Sequence, residues 1–75
     1  MTRLPVISGR EAISALQQVG YMVVRQRGSH IRLRHPSNPE RRPVTVPDHD
    51  TLKPGTLRAI LRDASLTVAE FGEFL

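Results

Sequence analysis

In the run Gly28-Ser29-His30-Ile31-Arg32-Leu33-Arg34, an imidazole and two guanidiniums stand at every second position. Extended backbone sends alternate side chains to opposite faces, so His30, Arg32 and Arg34 share one face while Ser29, Ile31 and Leu33 share the other. Histidine, with an unperturbed pKa of roughly 6.5, accepts and returns a proton near neutrality. Arginine's planar fork meets two phosphate oxygens at once. A proton carrier in line with phosphate clamps suits a polyanion, RNA or DNA, and Arg25 and Arg27 extend the cationic run upstream. The plainer reading of His30 is a hairpin histidine that only makes hydrogen bonds.

The composition narrows the setting. A chain of 75 residues makes one domain, 1–75, of a size that buries only about 60% of the surface of its unfolded chain, so no deep water-excluded pocket is expected. Aromatic residues are 4% of the total, too few for recognition by base-stacking platforms. The absence of cysteine excludes disulfides, thiolate catalysis and cysteine-ligated zinc. No signal peptide or membrane span is legible, which makes the cytoplasm the expected compartment. Of the eleven basic residues, ten are arginine, against seven acidic ones. Charge is also segregated: Arg25, Arg27, Arg32, Arg34, Arg41 and Arg42 face Glu40 alone within residues 25–42, whereas Asp63, Glu70 and Glu73 have no base among them in residues 63–75. A basic face for a polyanion is the functional reading, and a merely solvated arginine-rich surface is the alternative.

The elements that must hold this face follow from local patterns. Ser8 and Glu11 fit a capping box, after which Ala12, Ile13, Leu16 and Val19 fall on one helical face and Gly20 supplies a left-handed end, predicting a helix over 9–19. Tyr21 to Arg27 is rich in strand-forming residues, Gly28 permits a tight reversal, and Ser29 to His35 alternates, which predicts a β-hairpin. A loop with two prolines precedes a third strand, expected over 42–46 and ended by Pro47. Leu57, Ile60, Leu61 and Ala64 have the spacing of a buried helical stripe with Pro54 in its first turn. Thr67 and Glu70 form a second capping box before Phe71, Phe74 and Leu75, which either fold back onto the sheet or remain for a partner. The expected fold is α+β, in the order α-β-β-β-α with a C-terminal helical turn. Its three-stranded antiparallel sheet carries the helices on one face and leaves His30, Arg32 and Arg34 on the other.

Three further stretches bear chemistry-capable residues. Asp48-His49-Asp50 has the residue types of a metal ligand set, but neighbours in sequence rarely converge on one ion. The reading preferred is a turn in which Asp50 or Thr51 caps the next helix. His35, held extended before Pro36 and facing away from His30, is expected to be structural. Lys53-Pro54-Gly55-Thr56 offers either a phosphate site at a helix N-terminus or simple helix initiation. No metal or other cofactor is expected.

Taken together, Gly20-Tyr21, Gly28-Ser29-His30, Val46-Pro47 with His49, the run from Leu52-Lys53-Pro54-Gly55-Thr56 to Leu57-Arg58-Ala59-Ile60-Leu61, and Leu66-Thr67 leading to Glu70-Phe71 resemble the HicA family. These are small mRNA-cleaving toxins of toxin–antitoxin pairs. The resemblance spans essentially the whole chain and departs from the family pattern at Ser65, where glycine is common, and in the proline-broken loop 36–42. It implies a fold like a double-stranded-RNA-binding domain and a metal-independent endoribonuclease in which His30 is the essential general acid/base. Arg25, Arg27, Ser29, Arg32, Arg34 and Lys53 are then the residues expected to hold RNA. The second proton carrier is left open among water, His35 and His49. The resemblance also implies an antitoxin of the HicB family covering the cationic face, with the toxin a monomer when free and part of a hetero-oligomer when bound, and no membrane partner. A non-catalytic RNA- or DNA-binding module is the alternative, since the arginines suffice for it and His30 is then incidental.

Overall fold

The computed structural model describes residues 3–75. Along the chain lie α1 (Gly9–Val19), β1 (Met22–Arg27), β2 (His30–Arg34), β3 (Val44–Pro47), α2 (Pro54–Ala64) and α3 (Val68–Gly72). The strands form one antiparallel sheet in the order β1-β2-β3, so the expected α+β layout is the observed one.

Local chemistry sets most of the ends. The Ser8 hydroxyl accepts the Glu11 N–H at 3.1 Å while the Glu11 carboxylate accepts the Ser8 N–H at 3.0 Å, so two of the helix's orphan donors are satisfied reciprocally. Gly20, at φ 115°, ends α1 by returning its N–H to the carbonyls of Leu16 and Gln17. A side chain there would meet both an unfavourable backbone and the His35 ring, whose Nε2 lies 2.6 Å from where a Cβ would stand. Gly28, at φ 58°, is the first of two residues between the paired Arg27 and His30. Ser29 does not share the positive φ, which is the pattern of a type II′ hairpin turn. Thr67 and Glu70 form the second capping box. The Thr67 backbone N–H and hydroxyl, both bonded to Glu70, hold its carboxyl below the ordinary glutamate range.

Two boundaries depart from expectation. The third strand begins at Val44 rather than Arg42, because Arg42 sends its N–H to the Asp63 carbonyl at 2.7 Å and Pro43 has none to give. It also runs through Pro47, which pairs with His30 on an outer strand where a missing donor is tolerated. Neither Asp50 nor Thr51 caps α2. Leu52 is instead drawn into the core, its N–H donating to the Ile7 carbonyl at 2.8 Å. The helix starts two residues later, with Lys53 at the N-cap position making no side-chain bond and Pro54 presetting the first turn.

Ile31 and Leu33 of β2 and Val44 and Val46 of β3 point into a core closed by Ala12, Ala15 and Leu16 of α1, the Leu57–Ile60–Leu61–Ala64 stripe of α2, and Phe71. Each fully buried Leu, Ile or Phe contributes on the order of 1.5–3 kcal/mol. Phe74 packs against this core and Leu75 is exposed, so the C-terminal aromatics fold back onto the body. Among the described residues no helix is long and apolar enough to cross a membrane.

Candidate nucleic-acid interface

Register decides which side chains meet on the uncovered face. His30 pairs with Arg27 of β1 and Pro47 of β3, Arg32 pairs with Arg25 and Thr45, and Arg34 pairs with Met22. Directly opposed residues of an antiparallel pair share a face, so Arg25, Arg27, His30, Arg32 and Arg34 gather on one side, away from the helices. The register slips between Val23 and Arg25, a bulge that leaves Val24 unpaired and re-aims it toward the arginines. Val24, Arg25, Arg32, Arg34 and Pro43 line an open depression there.

The charge on this face is not internally neutralised. Like charges directly opposite, as Arg25 and Arg32 are, destabilise a sheet. Among the described residues the ion pairs are Arg10–Asp48 at 3.0 Å and Arg62–Asp63 at 3.6 Å, and neither involves an arginine of the face. Arg32 is held instead by a neutral partner, its Nη1 donating to the Thr45 hydroxyl at 2.9 Å. From there it also borders a second groove with Thr45, Gly55, Thr56 and Asp63, between β3 and α2.

His30 is exposed, and among the described residues no hydrogen bond engages its ring. The segment beside it is firmly placed. Asp48 donates its N–H to the Ser29 carbonyl at 2.6 Å and Gly9 donates to the His49 carbonyl at 2.9 Å. Arg10 grips the Asp48 carboxylate through two bonds of 3.1 and 3.0 Å, so Asp48 is committed to a structural ion pair. His49, exposed, therefore lies on the strand-flanking segment next to His30.

His35 is different in kind. It follows the far end of β2, five residues and so about 17 Å of extended chain from His30. Its Nδ1 accepts the Asn38 N–H at 3.1 Å, which leaves Nε2 to donate to the Val19 carbonyl at 2.9 Å. The Tyr21 ring meets it edge-on with centroids 5.2 Å apart.

Of the residues expected to touch nucleic acid, Arg25, Arg27, Arg32 and Arg34 are thus brought together with His30. Ser29 belongs to the turn beside them, engaged through its carbonyl. Lys53 stands at the start of α2, exposed and off the sheet rows. Thr45 and Val24 join the face without having been expected there, since only the register places them.

No curated protein sequence matches the chain. A family model described as the HicA toxin of bacterial toxin-antitoxin matches residues 9–66, a stretch that takes in α1, the whole sheet and α2, and with them His30 and every arginine of the open face. The chain therefore belongs to the HicA toxin family, the toxin side of bacterial toxin–antitoxin pairs whose partner is an antitoxin.

Proposed function

We infer that the protein is a metal-independent endoribonuclease acting on mRNA, with His30 as the general acid/base and Arg25, Arg27, Arg32 and Arg34 as phosphate ligands. The observation that carries this reading is the placing of one exposed imidazole among four arginines that have no carboxylate partner among the described residues. RNA brings its own nucleophile. His30 takes the proton from a 2′-OH, the 2′-oxygen attacks the adjacent phosphorus, and the bond from phosphorus to the 5′-oxygen breaks. The leaving oxygen collects a proton from water or a second acid, and the products end in a 2′,3′-cyclic phosphate and a 5′-OH.

The arginines have two duties in this scheme. They hold successive phosphates in register, and they stabilise the charge that grows on the phosphoryl oxygens as the five-coordinate phosphorus forms. Arg32 is the best placed for the second duty, being held by Thr45 on the row next to His30. His49 is the preferred second proton carrier, because His35 is distant and has both ring nitrogens engaged. Its activity is exercised in the cytoplasm on messenger RNA and is silenced by a HicB-family antitoxin that covers the arginine face.

A specific observation also favours a second reading. Among the described residues no side chain orients the His30 ring, as expected if the face only binds RNA and the histidine is a bystander. The two are separated by incubating single-stranded RNA with the wild-type protein and with folded His30→Ala in excess EDTA. Cleavage by the wild type alone, with cyclic phosphate ends, supports the nuclease. Intact RNA in both lanes, with equal binding, supports the module.

A further inference from the structure

The helical layer stops short of β1. Val23 and Gln26 pair with Leu33 and Ile31, both fully buried, and so face the same side as they do. Yet all six residues of β1 are exposed, Val23 at 44%. β1 is also an outer strand, with one hydrogen-bonding edge unoccupied by another strand of the sheet. Met22 and Val24, 59% and 53% exposed, add apolar surface along it. An edge of this kind is a template for an added strand, and proteins ordinarily guard it with charge, proline or a bulge. The guards here are the Val24 bulge and two arginines of one sign.

Those arginines select the occupant. A second copy pairing antiparallel and symmetrically through β1 would keep both open faces on the same side. It would bring its own Arg25 and Arg27 to the seam, doubling a charge that already lacks a carboxylate. RNA would satisfy the arginines but offers neither a backbone ladder to the free edge nor aliphatic groups to Val23. A polypeptide with alternating acidic and aliphatic residues satisfies both, because period two puts its carboxylates over one face and its aliphatic side chains over the other.

We propose that the free edge of β1 receives an extended acidic segment of the antitoxin, which adds a fourth strand with carboxylates over Arg25 and Arg27 and aliphatic side chains beside Val23. This rests on reading the arginine face as the RNA-binding surface. Occupation of the edge then inhibits by neutralising the groups that hold phosphate.

The test titrates the isotope-labelled full chain with unlabelled cognate antitoxin, and labelled His30→Ala with single-stranded RNA. The expected result is slowing of β1 amide exchange by about 100-fold in the antitoxin complex, beyond any slowing in β2, with intermolecular Hα–Hα contacts along Met22–Arg27. Val23→Lys, on the face away from the arginines, should weaken antitoxin binding about 10-fold while RNA cleavage is unchanged. A complex whose β1 amides exchange as fast as in the free chain, or an unchanged affinity for Val23→Lys, overturns edge docking and leaves the nuclease reading intact. Protection of β1 by RNA but not by antitoxin overturns it in favour of nucleic acid. Failure of the antitoxin to bind the wild type removes the partner and the proposal together, whereas absence of RNA binding with β1 still protected by the antitoxin overturns the RNA-binding reading of the face and the mode of inhibition drawn from it, and leaves the edge docking standing.

Discussion

The two ends of β2 each carry a histidine, and they are built on opposite plans. At the His35 end the ring and the polar groups that tie its loop to the helices are committed. The ring bridges Val19 and Asn38, the Tyr21 hydroxyl donates to the Arg42 carbonyl at 2.7 Å, and Arg41 Nη1 donates to the Ala64 carbonyl at 2.8 Å. The Ser65 hydroxyl donates to the Glu40 carbonyl at 3.1 Å. Together these fasten the loop 35–42 to the C-terminal ends of α1 and α2. At the His30 end the backbone is equally firm, through the Gly28 turn and the Asp48–Ser29 bond, but among the described residues the side chains of His30, Arg25, Arg27 and Arg34 have no hydrogen-bond or ion-pair partner, and Arg32 has only the Thr45 hydroxyl. An imidazole whose two nitrogens are both engaged is a brace, whereas one left free on a rigid strand is available as a reagent. The contrast is between satisfied and unsatisfied side chains on one scaffold.

The sharpest way to break this contrast is to remove each ring in turn. His30→Ala should lower RNA cleavage by about 10²–10⁴-fold, the usual worth of a general acid/base, with a melting temperature close to wild type because no bond is lost. His35→Ala should do the reverse. Two hydrogen bonds at about 1 kcal/mol each and an edge-on aromatic contact at about 0.5–1.5 kcal/mol disappear. The expected loss of about 2.5–3.5 kcal/mol corresponds to roughly 10–28 °C of melting temperature in a chain of this size, with cleavage per folded molecule retained. If His35→Ala abolished cleavage in protein shown to be folded, the division of labour between the two ends would be wrong.

Tyr21→Phe probes the braced end more gently. Deleting the phenol leaves the Arg42 carbonyl without its donor and should cost about 1 kcal/mol. The same group gives that end an alkaline limit. Burial pushes the Tyr21 phenol above its ordinary range, partly opposed by the Arg41 charge and aided by Asp63. Above the ordinary tyrosine pKa the unfolded chain therefore releases its proton before the folded one does. Stability is fully present below that value and declines as pH rises toward the folded pKa. Denaturant midpoints followed upward in pH should fall more steeply for the wild type than for Tyr21→Phe. Parallel curves would show that the phenol does not control the brace.

How much of this was legible in the sequence depends on the range of the interactions involved. The caps of α1 and α3 were, because Ser8 with Glu11 and Thr67 with Glu70 complete their bonds within four residues. So was the sharing of one face by His30, Arg32 and Arg34, which needs only alternation. The start of β3 was not, since the Arg42 amide is claimed by Asp63 of α2. Nor was the start of α2, because the segment ahead of it is fixed by burial of Leu52 rather than by a cap. At the site, that Arg25 and Arg27 stand opposite Arg32 and His30 depends on a bulge at Val24 with no local signature. Thr45 becomes the holder of Arg32 only through the β2–β3 register.

The smallest effect expected at the braced end belongs to Ser65, where two opposed contributions meet. Ser65 ends α2 at φ 57° and ψ 43°, a left-handed conformation that costs a residue with a Cβ roughly 1 kcal/mol relative to glycine. Its hydroxyl recovers about as much by bonding the Glu40 carbonyl. Ser65→Gly removes the strain and the bond together, so stability should change by no more than about 0.5 kcal/mol. Ser65→Ala keeps the strain and loses the bond, and should cost about 1 kcal/mol. Chemical denaturation of the three proteins measures both quantities, the wild type against alanine reading the bond and alanine against glycine reading the strain. The serine and the proline-broken loop are then one feature, because the hydroxyl at the helix end is what the loop's carbonyl needs. If glycine proved more stable by a full kcal/mol, the bond to Glu40 would be contributing nothing, and the loop would be held by Arg41, Arg42 and His35 alone.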